Sequence, residues 1–299
     1  MMGKLEMLLA LAKAQHFGRA AESLNIAQPT LSTGIRHLEE QLGVKLVRRG
    51  SRYGGLTPEG ERALIWARRI VGDTRRLRED MRASHAGLSG HLRVAVIPTA
   101  LTWAAQLTAR FSARYPNVGF TVLSRSSASI LELLENLDAD AGLTYLDNEP
   151  LGRMSSVPLH RERYSLLCPS DHALAARTEV RWTEIGAQRL CLLTPDMQNR
   201  RIINLGFLEA GVSPEALVES NSTIVLVSNV IYGGFVTILP TDLAEFLAIG
   251  HDLATVPIAD GGPAPTVGLI TLHQDPQTPL VQALMRSAAD LARPGLGAP

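Results

Sequence analysis

The chain has 299 residues, and 29 Lys and Arg balance 29 Asp and Glu to give a formal net charge of zero. Apolar residues make up 45% and charged residues 19%, which excludes a disordered chain and predicts about two folded domains. No apolar run approaches the roughly 18 residues that cross a bilayer, and the N-terminus lacks a signal-peptide pattern, so we expect a cytoplasmic protein without a membrane partner. Taken as a total, zero charge also argues against a nucleic-acid partner.

The charge is divided unequally along the chain. Residues 1–90 carry 15 Lys and Arg against 9 Asp and Glu, a balance of +6, and residues 91–299 carry 14 against 20, a balance of −6. Such asymmetry is typical of a basic module that faces nucleic acid or membrane, fused to an acidic one. Chance segregation of solvated charge is the alternative, and the residue pattern has to decide.

The first half of the basic segment predicts a helix-turn-helix. Leu5, Leu8, Leu9 and Ala12 have the spacing of an amphipathic helix, and a short second helix is expected over Gly18–Leu24. Asn25 tolerates a left-handed turn, and Pro29 suits the first position of a third helix. Two helices joined by a tight turn form this motif.

The third helix carries short or basic side chains opposite its apolar stripe, and such side chains allow a helix to enter the major groove. Two short β-prone segments follow around Arg48, Arg49 and Arg52, and predict a wing that contacts phosphates. The alternative is an ordinary surface unit with a solvated arginine run. The candidate DNA-binding residues are Gln28, Pro29, Thr30, Ser32, Thr33, Arg36, Arg49 and Arg52.

A long helix is predicted from Thr57-Pro58-Glu59, a capping residue followed by Pro and an acid, to about Ser84. Apolar and small residues repeat every seven positions along it and predict self-pairing of two chains. A dimer would place two recognition helices about one DNA turn, or a multiple of it, apart. The alternative is a seam packed on the chain's own C-terminal domain. The seam consists of Ala63, Ala67, Ile70, Thr74, Leu77, Met81 and Ser84.

The segment from Ala12 to Glu61 resembles the N-terminal domain of LysR-type transcriptional regulators. The match includes Phe17, Ala20-Ala21, Gln28-Pro29, Leu38-Glu39 and Leu56-Thr57. It implies a winged helix-turn-helix over 1–58 and a linker and dimerisation helix with a hinge over 59–90. The sequence departs from the family at Thr33-Gly34, where basic and polar residues are usual, and at Val47, where Phe is common.

After Gly87-Leu88-Ser89-Gly90, a short flexible break, β-branched strands alternate with helical segments. The strands begin with His91–Pro98 and Val118–Leu123, and the last helix is expected over Pro279–Leu291. Strand alternating with helix predicts a doubly wound parallel sheet, in which ligands bind beyond the carboxyl ends of the strands. Hydroxyl side chains precede three of these helices, around Thr99, Ser126 and Thr194. Helix capping alone also explains them.

Residues 137–145 and 233–240 are similar to the effector-binding domain of the same regulators. The resemblance implies an α/β domain like the periplasmic binding proteins over 91–299, with lobe one at 91–162 and 268–299 and lobe two at 163–267. It also implies an interrupted palindromic double-stranded DNA site, a homotetramer, and activation or repression controlled by a small effector between the lobes. Helix N-termini favour an anionic effector. The candidate effector-binding residues are Thr99, Ser126, Ser127, Thr194, Asn199 and Arg200.

Two other functions remain open at this stage. Catalysis is disfavoured because the common nucleophile, zinc and phosphate-loop motifs are missing from the sequence. A redox-responsive regulator would use Cys168 and Cys191, but both lie in apolar strand-like runs where thiols are normally inert. The sequence predicts no metal site and no cofactor.

Overall fold

The computed structural model describes residues 1–49, 53–147, 151–259 and 264–292, without the side chains at 49, 75, 76, 79, 80 and 82–86. The chain forms two compact units, Met1–Gly87 and Leu88–Pro299. The division falls within the Gly87–Gly90 segment. None of the helices in these ranges has the length and apolar character required to cross a membrane.

The first unit is a helical domain with a two-stranded wing. Its elements are α1 Met2–Ala14, α2 Phe17–Ser23, α3 Gln28–Leu42, β1 Val47–Arg49, β2 Tyr53–Leu56 and α4 Pro58–Ala86. The turn between α2 and α3 contains Asn25 with a φ of 54°, the left-handed conformation expected for it. Leu8, Leu11, Leu31, Ile35 and Leu38 are buried together and form its core.

Capping side chains set the ends of two helices in this unit. His16 precedes α2, and its Nδ1 accepts hydrogen bonds from the backbone N–H groups of Gly18 and Arg19. Thr57 caps α4 as predicted, because its Oγ1 accepts from the N–H of Gly60 at 2.9 Å. The Thr57 hydroxyl also donates to the Lys45 carbonyl oxygen at 2.6 Å, which ties the start of α4 to the wing.

The second unit contains two lobes. The elements of lobe one are β3 Gly90–Val96, α5 Leu101–Arg114, β4 Val118–Ser124, α6 Ser127–Glu135, β5 Ala141–Tyr145 and β6 Met154–Arg161. The chain then builds lobe two and returns to lobe one with β12 and α11. Lobe two contains β7 Tyr164–Pro169, α7 Trp182–Gly186, β8 Leu190–Leu193, α8 Gln198–Glu209, β9 Ala216–Ser220, α9 Thr223–Gly233, β10 Thr237–Pro240, α10 Thr241–Ala248 and β11 Leu253–Pro257; the returning elements are β12 Thr266–Leu272 and α11 Pro279–Leu291.

The lobes are joined by two crossing segments, because lobe two is inserted between β6 and β12. The sheet of lobe one has the order β4-β3-β5-β12-β6, and lobe two has the strand groups β10-β7-β11 and β8-β9. The first crossing contains Glu162 and Arg163, and the second precedes Thr266. The boundary expected at 267/268 lies inside β12, two residues after the crossing.

The sheets are mixed, whereas strand–helix alternation predicts an entirely parallel arrangement. β3 pairs in parallel with β4 and β5, but β12 is antiparallel to β5 and β6, and β7 is antiparallel to β10 and β11. Each of these antiparallel pairs includes a strand that borders a crossing, β7 or β12. The sequence analysis missed β6, α7 and α10, which are short or interrupted by polar residues.

Candidate DNA interface and effector cleft

Helix α3 exposes the short and basic side chains predicted to contact DNA. Gln28, Pro29, Thr30 and Arg36 are exposed, and Ser32 and Thr33 are half-buried. The opposite side of α3 is buried in the core of the unit. One face of the helix therefore attaches it to the domain and the other is available to a groove.

Gly34, one of the departures from the family pattern, lies on the buried side of α3. A Cβ added there would lie 2.2 Å from the Met7 sulfur on α1, so the glycine allows a close contact between the two helices. The helix tolerates the roughly 1 kcal/mol propensity loss of glycine in exchange for this packing. Gly34 therefore leaves the exposed face of α3 unaltered.

A buried carboxylate fixes the wing against α3. Glu39 is 2% exposed, and its Oε1 accepts from the backbone N–H groups of Leu46 at 2.9 Å and Val47 at 3.3 Å. The Lys45 ammonium lies 3.4 Å from its other oxygen. Tyr53 on β2 packs edge-on against Phe17, so the wing contacts both α3 and α2. Sequence reasoning used Glu39 as a family signature and did not assign this role.

The arginines of the wing are described in part. Arg48 is exposed on β1, and the Arg49 backbone pairs with Tyr53. The Arg49 side chain and Arg52 lie outside the described residues. Their assignment to phosphates rests on the sequence.

Helix α4 is divided between its own unit and an exposed stripe. Leu64 and Ala67 are buried in the core of the first unit, so Ala67 of the predicted seam packs on its own domain. Trp66 and Leu77 are each 60% exposed, and Met81 is 51% exposed. With Ile70, they lie within about 60° around the axis at 100° per residue. We call these four residues the α4 stripe.

A cavity of about 460 Å³ lies between the two lobes. Lobe one contributes the end of β4 and the start of α6, and lobe two contributes the starts of α8 and α9. The N-termini of three helices, each at least nine residues long, therefore border the cavity. Each N-terminus concentrates positive potential there. The lining residues are Pro98, Leu101, Ser124, Arg125, Ser126, Ser129, Asp196, Met197, Asn221, Ser222, Thr223 and Ile224.

A narrow enclosed space next to this cavity brings together three of the predicted effector residues. Thr99, Ser127 and Asn199 line it, together with Tyr145 and Gln198. Its volume of about 10 Å³ is close to that of one water-sized probe. We call the larger cavity and this space together the effector cleft.

Two polar atoms at the cleft are buried without a hydrogen-bond partner in the described structure. They are the hydroxyl oxygen of Ser127 and the side-chain oxygen of Asn199; the Thr194 hydroxyl is also buried without a partner in the described structure, but it lies outside the cleft lining. A buried polar atom without a partner costs about 1–3 kcal/mol, so these atoms are suited to bind a water molecule or a ligand group that reaches the enclosed space. Ser126 lines the larger cavity but also caps α6, since its hydroxyl accepts from the Ser129 N–H at 3.4 Å.

Two of the predicted effector residues, Thr194 and Arg200, do not line the cleft. Thr194 lies on the loop before the lining residues and lines neither part of the cleft. The Arg200 guanidinium donates to the Leu193 carbonyl oxygen and to the Glu219 carboxylate, both at 2.7 Å, and to Asn204 at 2.9 Å. In this structure Arg200 holds α8 against β8 and β9.

A buried hydrogen-bond network joins the cleft to the first crossing segment. The hydroxyl groups of Tyr145 and Tyr164 donate to Oε2 of Glu162 at 2.9 and 2.8 Å. Thr99 lies 3.3 Å from the Tyr145 hydroxyl, and the Asn199 amide donates to it at 3.4 Å. Burial raises the pKa of Glu162 to about 7, and the charge of Asp242 adds to the increase. Tyr145, Glu162 and Tyr164 were not predicted from the sequence, because the two tyrosines lie at the ends of apolar strands and Glu162 lies between two arginines in the crossing.

The two thiols lack the environment of a redox switch. Cys168 and Cys191 are fully buried and belong to different apolar clusters. Burial raises the pKa of each to about 11, so little reactive thiolate exists near neutral pH. Across the described part of the chain, no group of three or more His, Cys, Asp or Glu is arranged to hold a metal ion.

The fold and these two sites define a DNA-binding regulator with a ligand-binding domain, and comparisons with known proteins place it in a family. Residues 2–61 match the bacterial regulatory helix-turn-helix protein model of the lysR family, and residues 85–293 match the LysR substrate binding domain. The chain belongs to the LysR family of bacterial transcription regulators. Its members bind DNA and small-molecule effectors and form oligomers.

Individual relatives agree with this assignment. The regulator XapR of Escherichia coli is 28% identical over 81% of this chain and 82% of its own length. OxyR of the same organism, a dual regulator, is 29% identical over 89% and 87%. A cysteine-to-aspartate variant of full-length OxyR from Pseudomonas aeruginosa has a TM-score of 0.76 at 26% identity, covering 100% of this chain and 99% of its own. CbnR bound to its target DNA has a TM-score of 0.66 at 21% identity, covering 98% and 100%, and shows the fold.

Proposed function

We propose that the chain regulates transcription by binding an interrupted palindrome as a dimer or tetramer, and that a small anion in the effector cleft controls it. The exposed face of α3, from Gln28 to Arg36, reads base edges in the major groove. The wing arginines Arg48, Arg49 and Arg52 contact phosphates. As a protein that acts on the chromosome, it works in the cytoplasm, and regulation rather than catalysis is its activity.

The observation that carries the effector assignment is the set of buried polar groups at helix N-termini. Ser127 opens α6 and is 2% exposed, yet its hydroxyl has no partner in the described structure. Around the same cleft begin α8 and α9, and Arg125 and Asp196 in the lining balance one another, so the helix N-termini supply the positive potential. N-terminal N–H groups and hydroxyl donors together suit a carboxylate or a similar anion.

Thr99 is the residue that would transmit the effect of anion binding to the rest of the domain. It is 3% exposed, lines the enclosed part of the cleft and lies within hydrogen-bond distance of the Tyr145 hydroxyl. A ligand that engages Thr99 alters the bond to Tyr145 and the placement of the two lobes. A ligand controls such an equilibrium only by binding one arrangement more tightly than the other.

Thermal unfolding of the full chain with a panel of small organic acids tests the cleft. At least one acid should raise the Tm, because a ligand that binds only the folded state stabilises it. The rise should be lost in Ser127→Ala and Thr99→Ala, while both variants still bind operator DNA. Ser170→Ala, at an exposed serine on lobe two away from the cleft lining, is the matched control. An acid-induced rise that is the same in all three variants would contradict the assignment.

The DNA-binding part is tested by selecting a binding site from random duplexes with the purified full chain. The expected product is a sequence with two-fold symmetry and a central spacer, because paired chains present two copies of α3. Recovery of no common sequence, with binding that depends only on salt, would contradict sequence-specific recognition.

A further inference from the structure

A second cavity lies beside the first crossing segment, away from the effector cleft. It has a volume of about 260 Å³ and shares only Thr99 with the residues that line the cleft. Thr102 and Trp103 on α5 border it from lobe one, and Thr241 and Asp242 on α10 border it from lobe two. Residues 160–163 of the crossing complete it. We call this space the hinge cavity.

Glu162 is the group in the hinge cavity that points to a ligand. It is 2% exposed, and Oε2 accepts both tyrosine hydroxyl groups. Oε1 is buried and has no hydrogen-bond partner in the described structure, although Glu162 lines a cavity large enough for a small molecule. A half-bonded buried carboxylate is unfavourable, and a donor in the cavity would remove the deficit.

The charged side chains that line the hinge cavity indicate which kind of hydrogen-bond donor it would bind. Asp242 also lines the cavity, and its charge disfavours ionisation of Glu162, so the inner end is negative when both groups are ionised. Arg161 and Arg163 line the cavity too, and both side chains are exposed. The Trp103 and His160 rings stack with centroids 4.1 Å apart and supply a flat wall.

We propose that the hinge cavity is a second ligand site, which binds a small molecule with a protonated amine toward Glu162 and an anionic group toward Arg161 and Arg163. The amine donates a charge-assisted hydrogen bond to Oε1 of Glu162, and the two carboxylates share its charge. Carbon atoms between the charged ends pack against the Trp103 wall. The volume accommodates a chain of a few carbon atoms.

The site is coupled to the effector cleft through one carboxylate. An ammonium at Oε1 stabilises ionised Glu162, which strengthens the hydrogen bonds from Tyr145 and Tyr164 to Oε2. Tyr145 also contacts Thr99 and Asn199 in the effector cleft. An amine in the hinge cavity therefore changes the affinity for the anionic effector, and the change is reciprocal.

Isothermal titration of the full chain with 4-aminobutyrate tests the site, and butyrate is the probe without the amine. We expect 4-aminobutyrate to bind with one site per chain and to release most of a proton at pH 6, because binding ionises Glu162. Proton release is obtained from the dependence of the heat on the buffer. In the hinge cavity, butyrate should bind at least about ten-fold more weakly than 4-aminobutyrate. Binding of butyrate in the effector cleft alone is consistent with this expectation.

Variants distinguish the two cavities. Thr102→Phe fills the hinge cavity and should abolish binding of 4-aminobutyrate, whereas Thr108→Phe on the same helix, outside the cavity, should leave it unchanged. Glu162→Gln should weaken binding at least about ten-fold and eliminate proton release. Ser127→Ala, which impairs the effector cleft, should not affect binding. Absence of 4-aminobutyrate binding to the wild-type chain, or equal binding by the two Phe variants, would overturn the proposal.

Discussion

At the scale of single residues, Glu162 makes the stability of the second unit depend on pH. Its pKa rises from 4.5 to about 7 on folding, so the folded state holds the proton more tightly. The contribution of protonated Glu162 to the free energy of unfolding is complete below about pH 4.5 and is lost as the pH rises through 7. The loss is on the order of 3 kcal/mol at 1.36 kcal/mol per pKa unit.

We therefore predict that Glu162→Gln reduces the fall in Tm between pH 5 and pH 8 relative to the wild type. The amide cannot ionise but can still accept a tyrosine hydroxyl. Calorimetry across this range measures the difference, and Glu209→Gln, which removes an exposed carboxyl from α8 in lobe two, is the control. Parallel Tm curves for the wild type and Glu162→Gln would show that the carboxyl does not titrate in this range.

The buried thiols lead to a second prediction. In the native chain, Cys168 and Cys191 should react with a disulfide reagent at pH 8 more than about 100-fold more slowly than in denaturant, because little thiolate forms and both sulfur atoms are inaccessible. Cys168→Ala and Cys191→Ala together should keep the transcriptional response. If the wild type responded to peroxide and the double variant did not, the hypothesis of a redox-responsive regulator that uses these two cysteines would be supported instead.

The contact between Gly34 and Met7 gives a third prediction, which isolates packing from helix propensity. Alanine at 34 gains up to about 1 kcal/mol of propensity but collides with the Met7 sulfur. Gly34→Ala should be more favourable in a Met7→Ala background than in the wild type by up to about 1 kcal/mol, since the flexible, half-buried Met7 side chain can shift. Urea unfolding of the four proteins in this cycle measures the coupling, and additive effects would exclude the contact as the reason for Gly34.

At the scale of elements, α3 and the wing are expected to contribute to DNA binding in different ways. Arg36→Ala should reduce discrimination between operator and random DNA, because we propose that this exposed side chain contacts base edges. Arg48→Ala should weaken binding to both and lower the salt slope by about one. Binding titrations at several salt concentrations separate the two effects, and identical behaviour of the two variants would contradict this division.

The elements also differ in how well the sequence predicts them. Strong helix signals such as Thr57-Pro58 and apolar spacing in α3 located these helices within a residue or two. β6 and α10 were missed, because Met154–Arg161 mixes polar and apolar residues and α10 has only eight residues. Thr99 and Ser127, which follow strand ends, and Asn199, which opens α8, line the same enclosed space, whereas Thr194 does not. Glu162 and its tyrosines come together only through the crossing, which depends on long-range pairing.

At the scale of the whole molecule, the balance of +6 and −6 belongs to two separate folded units. A DNA duplex is affected by the surface that it approaches rather than by the total charge. The zero net charge therefore does not exclude DNA. It does predict modest non-specific affinity for a single chain, so tight binding depends on assembly.

The α4 stripe supplies the prediction about assembly. Leu77→Glu should shift the oligomer to smaller species, because it places a charge in an apolar stripe that is exposed in the single chain. Ile65→Glu is the matched control: Ile65 is 64% exposed and lies about 120° around the helix from Leu77. Sedimentation velocity measures both variants, and an unchanged mass for Leu77→Glu would place the interface elsewhere.

The two faces of α3 also bear on how this regulator could acquire new target genes. Leu31, Gly34, Ile35, Leu38 and Glu39 hold the helix and the wing in place, while the residues that face outward make no contribution to that core. Exchange of the outward set alone should therefore redirect the protein to a different promoter without refolding it. The DNA-sequence preference of the domain can therefore change in evolution while its fold stays the same.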